Sequence, residues 1–262
     1  MKKIQKALIT GATSGLGLAL AKLMSQKGIQ LILVGRDQAK LTTVAQELTV
    51  KDTILADLST QIGIDTVAQV IEKEKPDCII NNAGFGHYSV YEETPYSKWN
   101  EMISVNLLAP SQLSWQALKT WKNESIRGTL VNVASVLAMI PMPYSAPYSA
   151  TKSYILSMSE ALQMEVKGSG INVLAFCPGQ LETPFRTGAS SGALPSHERA
   201  LPIVQTAKAL WHQIQTLKPL VVYNWRYQLL VWFVHCLPRQ LANKLIAKSI
   251  KKELAQVLFH RR

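Results

Sequence analysis

Cysteine is scarce in this sequence, and no two cysteines have the close spacing of a redox or metal motif. The 262 residues include three, Cys78, Cys177 and Cys236. A disulfide framework uses an even and dense set of cysteines, and a structural zinc site usually contains C-x-x-C pairs. The sequence therefore suggests neither, and we expect a cytoplasmic protein in a reducing compartment.

Histidine pairs at metal-ligand spacing, internal repeats and low-complexity tracts are lacking as well. We therefore expect no metal site. Hydrophobic residues make up 47% of the chain and charged residues 17%, which supplies one sizeable core and argues against disorder. Lysines precede an apolar stretch near the start, as in a secretory signal, but Gly11, Gly15 and Gly17 interrupt it, and we interpret it as part of the fold.

Acidic residues are almost absent from the last part of the chain. Residues 218–262 contain nine Lys and Arg against one Asp or Glu, whereas residues 1–217 contain 19 against 16. The net charge of +11 is thus divided into +8 for the tail and +3 for the body. We do not expect nucleic-acid binding, because an apolar tail and a nearly neutral body do not form a basic stripe.

Short apolar runs rich in β-branched residues alternate with longer stretches of helical periodicity. The runs are Ala7–Thr10, Gln30–Val34, Thr53–Ala56, Cys78–Asn81, Thr129–Val133 and Asn172–Phe176. Strands joined by crossover helices lie parallel and are covered by helices on both faces. The pattern therefore predicts repeated βαβ units in one α/β domain.

A glycine-rich loop lies between the first predicted strand and the first predicted helix. It contains Gly11, Thr13, Ser14, Gly15, Leu16 and Gly17. Glycine permits positive φ and close backbone approach, and the free amides at a helix start attract phosphate. The loop therefore predicts a dinucleotide site, although glycines at such a turn also occur for the turn alone.

The second predicted strand ends in Gly35-Arg36-Asp37, where an NAD enzyme usually carries an acid for the ribose hydroxyls. A guanidinium can hold a 2′-phosphate with paired, charge-assisted hydrogen bonds, so Arg36 favours NADP(H) over NAD(H). Two uses of Asp37 stay open at this point. It either caps the following helix or takes the ribose.

Tyr148 and Lys152 lie four residues apart at the start of a helical pattern, on one face of the helix. An ammonium beside a phenol favours the phenolate, so such a tyrosine can exchange a proton near neutral pH. The same spacing also occurs by chance on helix surfaces. The pair by itself therefore indicates a candidate acid and base and no more.

Further motifs accompany the loop and the pair. They are Asp57 between Ala56 and Leu58, Asn81-Asn82-Ala83-Gly84, Asn106, Ser135 thirteen residues before Tyr148, and Pro178-Gly179. From Ala7 to about Phe185, the set resembles the short-chain dehydrogenases/reductases in their single-domain form. The resemblance implies a doubly wound, Rossmann-like parallel sheet of about seven strands, flanked by helices and followed here by a C-terminal helical extension.

The resemblance also implies a role for each matching position. Tyr148 is the implied general acid and base, and Ser135 bonds the substrate oxygen. Lys152 holds the nicotinamide ribose and lowers the pKa of Tyr148, while Asn106 supports Lys152 through water. The implied cofactor contacts are Gly11, Thr13, Ser14, Gly15, Leu16, Gly17, Arg36, Asp57, Leu58, Asn82, Ala83, Gly84, Tyr148, Lys152, Pro178, Gly179 and Thr183.

The implied activity is hydride transfer between NADP(H) and a small-molecule carbonyl compound or secondary alcohol. A protein that senses NADP(H) and uses its tail to contact a partner or membrane is the alternative. Relatives often form dimers or tetramers through helices that correspond to the regions Trp99–Trp121 and Tyr148–Val166. We expect a homo-oligomer on this ground.

An apolar or lipid-like substrate is suggested by three features: the segment Met139–Tyr144, the region after Gly179, and the tail. Residues 179–202 are rich in Gly, Ser, Ala, Thr and Pro, and we interpret them as a substrate loop or lid. We divide the chain into a dinucleotide-binding catalytic domain at 1–217, which includes this loop, and a basic amphipathic extension of the same domain at 218–262.

The tail has two parts. Leu220–Leu237 is interrupted by Arg226 and other polar residues, so we reject a transmembrane span. After Pro238, one helical face carries Ile246, Ile250, Leu254 and Val257, and a roughly opposite face carries Lys244, Lys248, Lys251 and Lys252. Leu241 and Leu245 do not fit this division. Contact with an anionic membrane surface, cover for the substrate cleft, subunit pairing and simple packing all stay open.

Overall fold

The protein is an α/β structure in a computed structural model that describes residues 4–48, 50–182, 189 and 200–259. Seven parallel strands form one sheet. They are β1 (Lys6–Thr10), β2 (Gln30–Gly35), β3 (Val50–Leu55), β4 (Cys78–Asn81), β5 (Thr129–Val133), β6 (Asn172–Cys177) and β7 (Leu220–Val222). The strand order is β3-β2-β1-β4-β5-β6-β7, which confirms the predicted doubly wound fold.

Helices connect the strands and cover both faces of the sheet. They are α1 (Gly15–Ser25), α2 (Gln38–Glu47), α3 (Gln61–Glu74), α4 (Tyr96–Ile103), α5 (Ala109–Asn123), α6 (Ala146–Glu165), α7 (Ile203–Thr216), α8 (Trp225–Cys236) and α9 (Arg239–Phe259). A π-helical turn at Ser104–Leu108 joins α4 to α5. The described crossover connections join parallel strands, as the alternating sequence pattern predicts, and α3 carries the chain from β3 at one edge of the sheet to β4 beside β1.

Continuous apolar runs form the central strands because both of their faces are buried. In β1, Ile9 packs with residues of α1 and α7, whereas the adjacent Leu8 packs with residues of α3 and α5 on the opposite face. Trp121 of α5 is completely buried on that second face. The core therefore has two layers, one on each side of the sheet.

The strand order reverses between β1 and β4, because the chain builds the sheet outward in one direction and then in the other. Such a reversal leaves a crevice at the carboxyl ends of the strands, where doubly wound proteins bind ligands. The glycine loop follows β1 and the Asn81–Gly84 segment begins at the end of β4. The fold therefore brings both predicted motifs to one crevice.

The sheet continues into the segment that the sequence analysis assigns to the extension. Leu220–Val222 forms β7 and pairs with β6 through Ala175, Phe176 and Cys177. The helices α8 and α9 then follow at the edge of the molecule. In the described part of the chain, no helix has both the length and the apolarity that crossing a bilayer requires.

Candidate active site

A cavity of about 640 Å³ opens at the carboxyl ends of the strands. It is lined by thirteen of the predicted site residues: Gly11, Ser14, Gly15, Leu16, Arg36, Asn82, Ala83, Gly84, Ser135, Tyr148, Lys152, Pro178 and Gly179. These residues are widely separated in the sequence, and the parallel sheet brings them to one edge. Most of the predicted glycine loop and three of the four predicted catalytic residues therefore share a single cavity, whereas Asn106 does not line it.

The glycine loop is held tightly against the neighbouring segment. Gly11 has a φ of +65°, and a Cβ atom there would lie 2.9 Å from the Cα of Ala83. A Cβ atom on Gly17 would lie 2.4 Å from the carbonyl oxygen of Gly11. These close approaches need glycine at both positions, and they leave the amides that start α1 facing the cavity.

Asn82 braces the loop from the end of β4. Its side-chain amide donates to the carbonyl oxygens of Thr10 at 2.9 Å and Gly11 at 3.2 Å. The Thr10 hydroxyl in turn accepts from the backbone N–H groups of Asn82 and Ala83, both at 3.0 Å. Asn82 also lines the cavity, so its structural use and a cofactor contact are compatible.

Arg36 and Asp37 have different uses, although they are adjacent. Arg36 lines the cavity with a largely exposed side chain, and its Nη1 lies 3.5 Å from Oε1 of Glu101. Asp37 caps α2 by accepting from the Lys40 amide at 3.1 Å, and this hydrogen bond is the main reason that its pKa lies below the usual value. Asp37 therefore serves as the N-cap of α2, which is one of the two uses that the sequence leaves open.

Tyr148 lies in the first turn of α6 and is 8% exposed. Burial raises the pKa of its phenol well above the usual value, and the nearby Tyr88 adds to this, while a hydrogen bond with Ser135 acts in the opposite direction. The residues of this chain by themselves therefore raise the pKa of Tyr148, whereas the pairing with Lys152 predicts a lowered one. At neutral pH the phenol is protonated and able to donate.

Lys152 lies one helical turn after Tyr148 and is 5% exposed. Its Nζ donates to the carbonyl oxygen of Val133 at 2.8 Å and lies 5.9 Å from the centre of the Tyr148 ring. Burial lowers the pKa of Lys152 to about 8. The strand β5 thus fixes the ammonium beside the phenol.

Asn106 lies in the π-helical turn and is almost completely buried. Its side chain pairs with the backbone of Phe85, accepting from the N–H at 3.0 Å and donating to the carbonyl oxygen at 2.8 Å. A Cβ atom on Gly84 would lie 3.0 Å from Asn106 Oδ1 and 3.4 Å from Lys152 Nζ. Gly84 therefore leaves space between these two side chains.

Four of the predicted cofactor contacts that the structure describes do not line the cavity. The side chain of Thr13 packs toward Gly35, and Gly17 lies behind Gly11 inside α1. The carboxylate of Asp57 accepts from the N–H and hydroxyl of Ser59, at 3.0 and 2.8 Å, and Leu58 is buried among apolar residues. Thr183 lies outside the described residues, as do 184–188 and 190–199 of the substrate loop.

The two ends of the substrate loop lie side by side. Leu181 forms a parallel bridge with Leu201, and the N–H of Leu201 donates to the carbonyl oxygen of Gln180 at 2.8 Å. Gln180 and Leu181 line the cavity. The described ends of the segment 179–202 therefore lie together beside the cavity, and its use as a substrate lid stays a prediction.

Sequence reasoning missed part of the cavity wall. Phe85 and Tyr88 follow the Asn81–Gly84 motif, and Tyr227 of α8 and Ile250 of α9 come from the tail. His87 is half-buried, lines the cavity and has its Nε2 3.2 Å from Thr94 Oγ1. Proximity to a motif indicates the first two, but no local pattern marks contacts from the tail.

Within the described residues, no group of three or more His, Cys, Asp or Glu side chains is placed to hold a metal ion. The three cysteines are not joined to one another, and Cys78 and Cys177 are buried. Burial raises the pKa of Cys78 far above its usual value, so this thiol is not reactive.

The cavity suits a dinucleotide. A helix start with free amides offers a phosphate site, and Gly11, Gly15 and Gly84 line the cavity with backbone atoms. Arg36 lies on one wall, and Ser135, Tyr148 and Lys152 lie on another. This arrangement has room and polar groups for a charged nucleotide and for a reacting group beside the phenol.

Comparisons with known proteins agree with this geometry. The family model for short chain dehydrogenase matches residues 5–193. A D-beta-hydroxybutyrate dehydrogenase of Rhizobium meliloti is 31% identical over 187 residues, which are 68% of this chain and 72% of that protein.

Two solved structures have similar folds. A 3-ketoacyl-(acyl-carrier-protein) reductase of Brucella melitensis, complexed with NADH, is 28% identical with a TM-score of 0.72, over 84% of this chain and 96% of that one. A variant of actinorhodin polyketide ketoreductase with NADPH is 26% identical with a TM-score of 0.72, over 85% and 97% of the two chains.

Proposed function

This chain belongs to the short-chain dehydrogenase family, and we propose on that basis that it transfers a hydride between NADP(H) and an apolar carbonyl compound or its secondary alcohol. The observation that carries the proposal is the meeting of Ser135, Tyr148 and Lys152 in one cavity with the glycine loop. Packing alone does not require this combination of polar side chains at the end of a buried sheet.

The proposed reaction needs charge stabilisation and a proton at one oxygen atom. When bound, the nicotinamide ring supplies or accepts the hydride. In reduction, negative charge grows on the carbonyl oxygen, and the hydroxyls of Ser135 and Tyr148 donate hydrogen bonds to it. Tyr148, a phenol that is protonated at neutral pH and whose pKa burial raises further, then delivers its proton to that oxygen.

Lys152 and Asn106 support this step without touching the substrate oxygen. The Lys152 ammonium, held by the Val133 carbonyl, favours the phenolate that Tyr148 becomes after donating its proton. Asn106 fixes the Phe85 backbone next to Gly84, and so shapes the wall beside Lys152. In our proposal, Lys152 also holds the nicotinamide ribose.

The preference for NADP(H) rests on the wall that Arg36 forms. Asp37 is engaged as the cap of α2, which leaves Arg36 as the charged group at the end of β2 that lines the cavity. A guanidinium binds a 2′-phosphate through paired hydrogen bonds. Related structures contain NADPH in one case and NADH in another, so the cofactor choice depends on residues of this chain.

An Arg36→Ala variant tests the cofactor preference. A charge-assisted pair contributes about 1.5–3 kcal/mol, so we expect the KM for NADPH to rise by about 10- to 100-fold while the KM for NADH stays nearly constant. Initial rates with both cofactors measure this. An equal change with both cofactors would show that Arg36 does not recognise the 2′-phosphate.

An apolar substrate is supported by the residues on the substrate side of the cavity. Phe85, Leu137 and Met142 line it, together with Leu181 from the loop and Ile250 from α9. Of the apolar segment Met139–Tyr144, Met142 is the residue that reaches the cavity. On this ground we propose that the substrate is a bulky or lipid-like carbonyl compound. We also propose that the enzyme is a cytoplasmic homo-oligomer.

The direct test is a panel of ketones and alcohols that includes small polar compounds and long-chain β-ketoacyl esters, with NADPH and NADH. We expect NADPH consumption with the apolar ketones, and loss of turnover in a Tyr148→Phe variant that still binds NADPH. Tyr96→Phe, at an exposed tyrosine that is not among the residues lining the cavity, is the matched loss of a phenolic hydroxyl. Tight NADPH binding without turnover of any carbonyl would favour the cofactor-sensing alternative.

A further inference from the structure

Helix α8 has apolar residues on two opposite faces. Tyr227, Val231 and Val234 are partly buried and repeat at the i, i+4, i+7 spacing of the face that packs against the body. Trp225, Leu229, Trp232 and Phe233 repeat at a similar spacing on the other face, and 52–65% of each is exposed. A helix with apolar residues on all sides is normally buried, so the outer face of α8 lacks the cover that its composition calls for.

The start of α9 continues this exposed surface. Ala242, Ile246 and Ile250 lie on the inner face, while Leu241 and Leu245 are 45% and 48% exposed on the outer one. This placement explains why the two leucines do not fit the simple division into an apolar and a lysine face. We call Trp225, Leu229, Trp232, Phe233, Leu241 and Leu245 the outer apolar patch.

Positive charge surrounds the outer apolar patch. Arg226, Arg239, Lys244 and Lys248 are all exposed, and each lies on α8 or α9. None of the ion pairs found among the described residues involves them. The whole segment 218–262 contains one acidic residue against nine basic ones. The natural occupant of this surface is therefore both apolar and anionic.

An anionic lipid surface fits this description better than a second copy of the chain. Two copies that paired through the patch would bring two segments of net charge +8 together, which is unfavourable. Trp and Phe on an exposed helix beside Lys and Arg are typical of helices that lie in the headgroup region. With 12 residues, α8 is about 18 Å long and lies along a bilayer surface rather than across it.

We propose that the outer apolar patch docks this protein on an anionic lipid surface, with α8 lying in the plane of the headgroups. The inner face of the same helix forms part of the cavity wall, because Tyr227 packs on Gly179 and accepts a hydrogen bond from the N–H of Gln180 at 3.2 Å. Docking therefore places the cavity next to the bilayer. Supply of an apolar substrate from the bilayer rests on the proposed function, whereas lipid binding does not.

Co-sedimentation of the full chain with vesicles tests the proposal independently of activity. We expect binding to vesicles of phosphatidylcholine with phosphatidylglycerol, weak binding to phosphatidylcholine alone, and release by added salt. In a Trp232→Ala/Phe233→Ala variant, the partition coefficient should fall by about tenfold or more, because two large apolar side chains no longer enter the headgroup region. Lys244→Glu/Lys248→Glu should reduce binding by a similar factor on anionic vesicles only.

Matched variants on the body of the protein provide the controls. Ile62 and Tyr96 are 80% and 72% exposed, so Ile62→Ala/Tyr96→Ala removes comparable apolar surface elsewhere. Lys27→Glu/Lys167→Glu makes the same charge change at exposed sites away from the patch. Equal losses in patch and control variants, or no binding by the wild type, would overturn the proposal. Dissociation of an oligomer by Trp232→Ala/Phe233→Ala, without a change in lipid binding, would assign the patch to a second copy instead.

Discussion

At the scale of single residues, burial determines the ionisation of Lys152. Its pKa in the folded chain is about 8, against an ordinary value of 10.5, because the ammonium lies out of water. The folded pKa is below the unfolded one, so the lysine disfavours folding below about pH 8. This cost is relieved as the pH rises from about 8 to about 10.5.

A Lys152→Met variant tests this directly. The cost of the charged lysine at about pH 7 is about 3 kcal/mol, partly offset by its hydrogen bond to Val133, which methionine loses. We expect the free energy of unfolding of the variant, relative to wild type, to decrease by about 3 kcal/mol between about pH 7 and about pH 10.5. Urea unfolding of the cofactor-free proteins measures it. A difference that does not change with pH would show that Lys152 titrates normally.

The sequence predicts the site residues that belong to recognisable motifs. The glycine loop, Ser135, Tyr148 and Lys152 all meet in the cavity, because each lies at the carboxyl end of a strand or at a helix start. Their chemical roles stay predictions. Asp57 and Thr13 do not line the cavity. The Asp57 carboxylate accepts a hydrogen bond from Ser59, and the Thr13 side chain packs toward Gly35. A motif position indicates where a residue lies but not which neighbour occupies its side chain.

At the scale of elements, the contact between Gly179 and Tyr227 joins the end of β6 to α8. A Cβ atom on Gly179 would lie 1.9 Å from Cε2 of Tyr227. The hydroxyl of Tyr227 also accepts from the N–H of Gln180. The position of the first tail helix is therefore coupled to the segment that follows Pro178-Gly179.

A double-mutant cycle tests this coupling. Gly179→Ala should lower the free energy of unfolding by about 1–3 kcal/mol, because the added methyl group overlaps the tyrosine ring. In a Tyr227→Ala background the same change should cost much less, since the ring is gone. Denaturant unfolding of the four proteins gives the coupling energy. Additive effects of the two substitutions would mean that α8 does not pack on Gly179.

Five of the seven strands follow from apolar runs, because a strand buried on both faces carries apolar residues at consecutive positions. The edge strand β3 contains partly buried and exposed residues, and it begins at Val50, three residues before the predicted run Thr53–Ala56. The seventh, Leu220–Val222, has the same composition but leads, after two residues, into the apolar helix α8. A continuous apolar stretch does not reveal where a strand ends and a helix begins. The π-helical turn that carries Asn106 likewise has no recognisable sequence pattern.

At the scale of the whole molecule, exposed apolar side chains mark a surface on α5 and α6. Trp115 is 57% exposed, Tyr154 43% and Met164 68%. The two helices lie close there, since Ser111 Oγ is 3.4 Å from the hydroxyl of Tyr154. This surface lies on the two helical regions, Trp99–Trp121 and Tyr148–Val166, from which the sequence predicts a homo-oligomer. We propose it as the interface between subunits.

A Trp115→Glu variant should convert the oligomer into a monomer, because a buried and unpaired carboxylate disfavours association. Sedimentation velocity measures the change, and we expect a wild-type dimer or tetramer. Ile62→Glu, at a site that is 80% exposed on α3, is the control and should leave the oligomer intact. A wild-type monomer, or an unchanged oligomer in the Trp115 variant, would rule out this interface.

The division into a catalytic domain at 1–217 and an extension at 218–262 stays a prediction. Because β7 pairs with β6, the sheet includes residues on both sides of this boundary. The same tail supplies cavity wall through Tyr227 and Ile250 and carries the outer apolar patch. The basic tail is thus built into the fold on its inner side and available to a partner on its outer side.

We propose that this cavity transfers a hydride to a carbonyl carbon while Tyr148 protonates the oxygen. The most direct measurement is mass spectrometry of the alcohol formed from an apolar ketone and NADPH that carries deuterium at the transferred position of C4. We predict one deuterium on the carbinol carbon with the wild type and no labelled product with Tyr148→Phe. An unlabelled alcohol from the wild type, or undiminished labelling by the variant, would contradict the account.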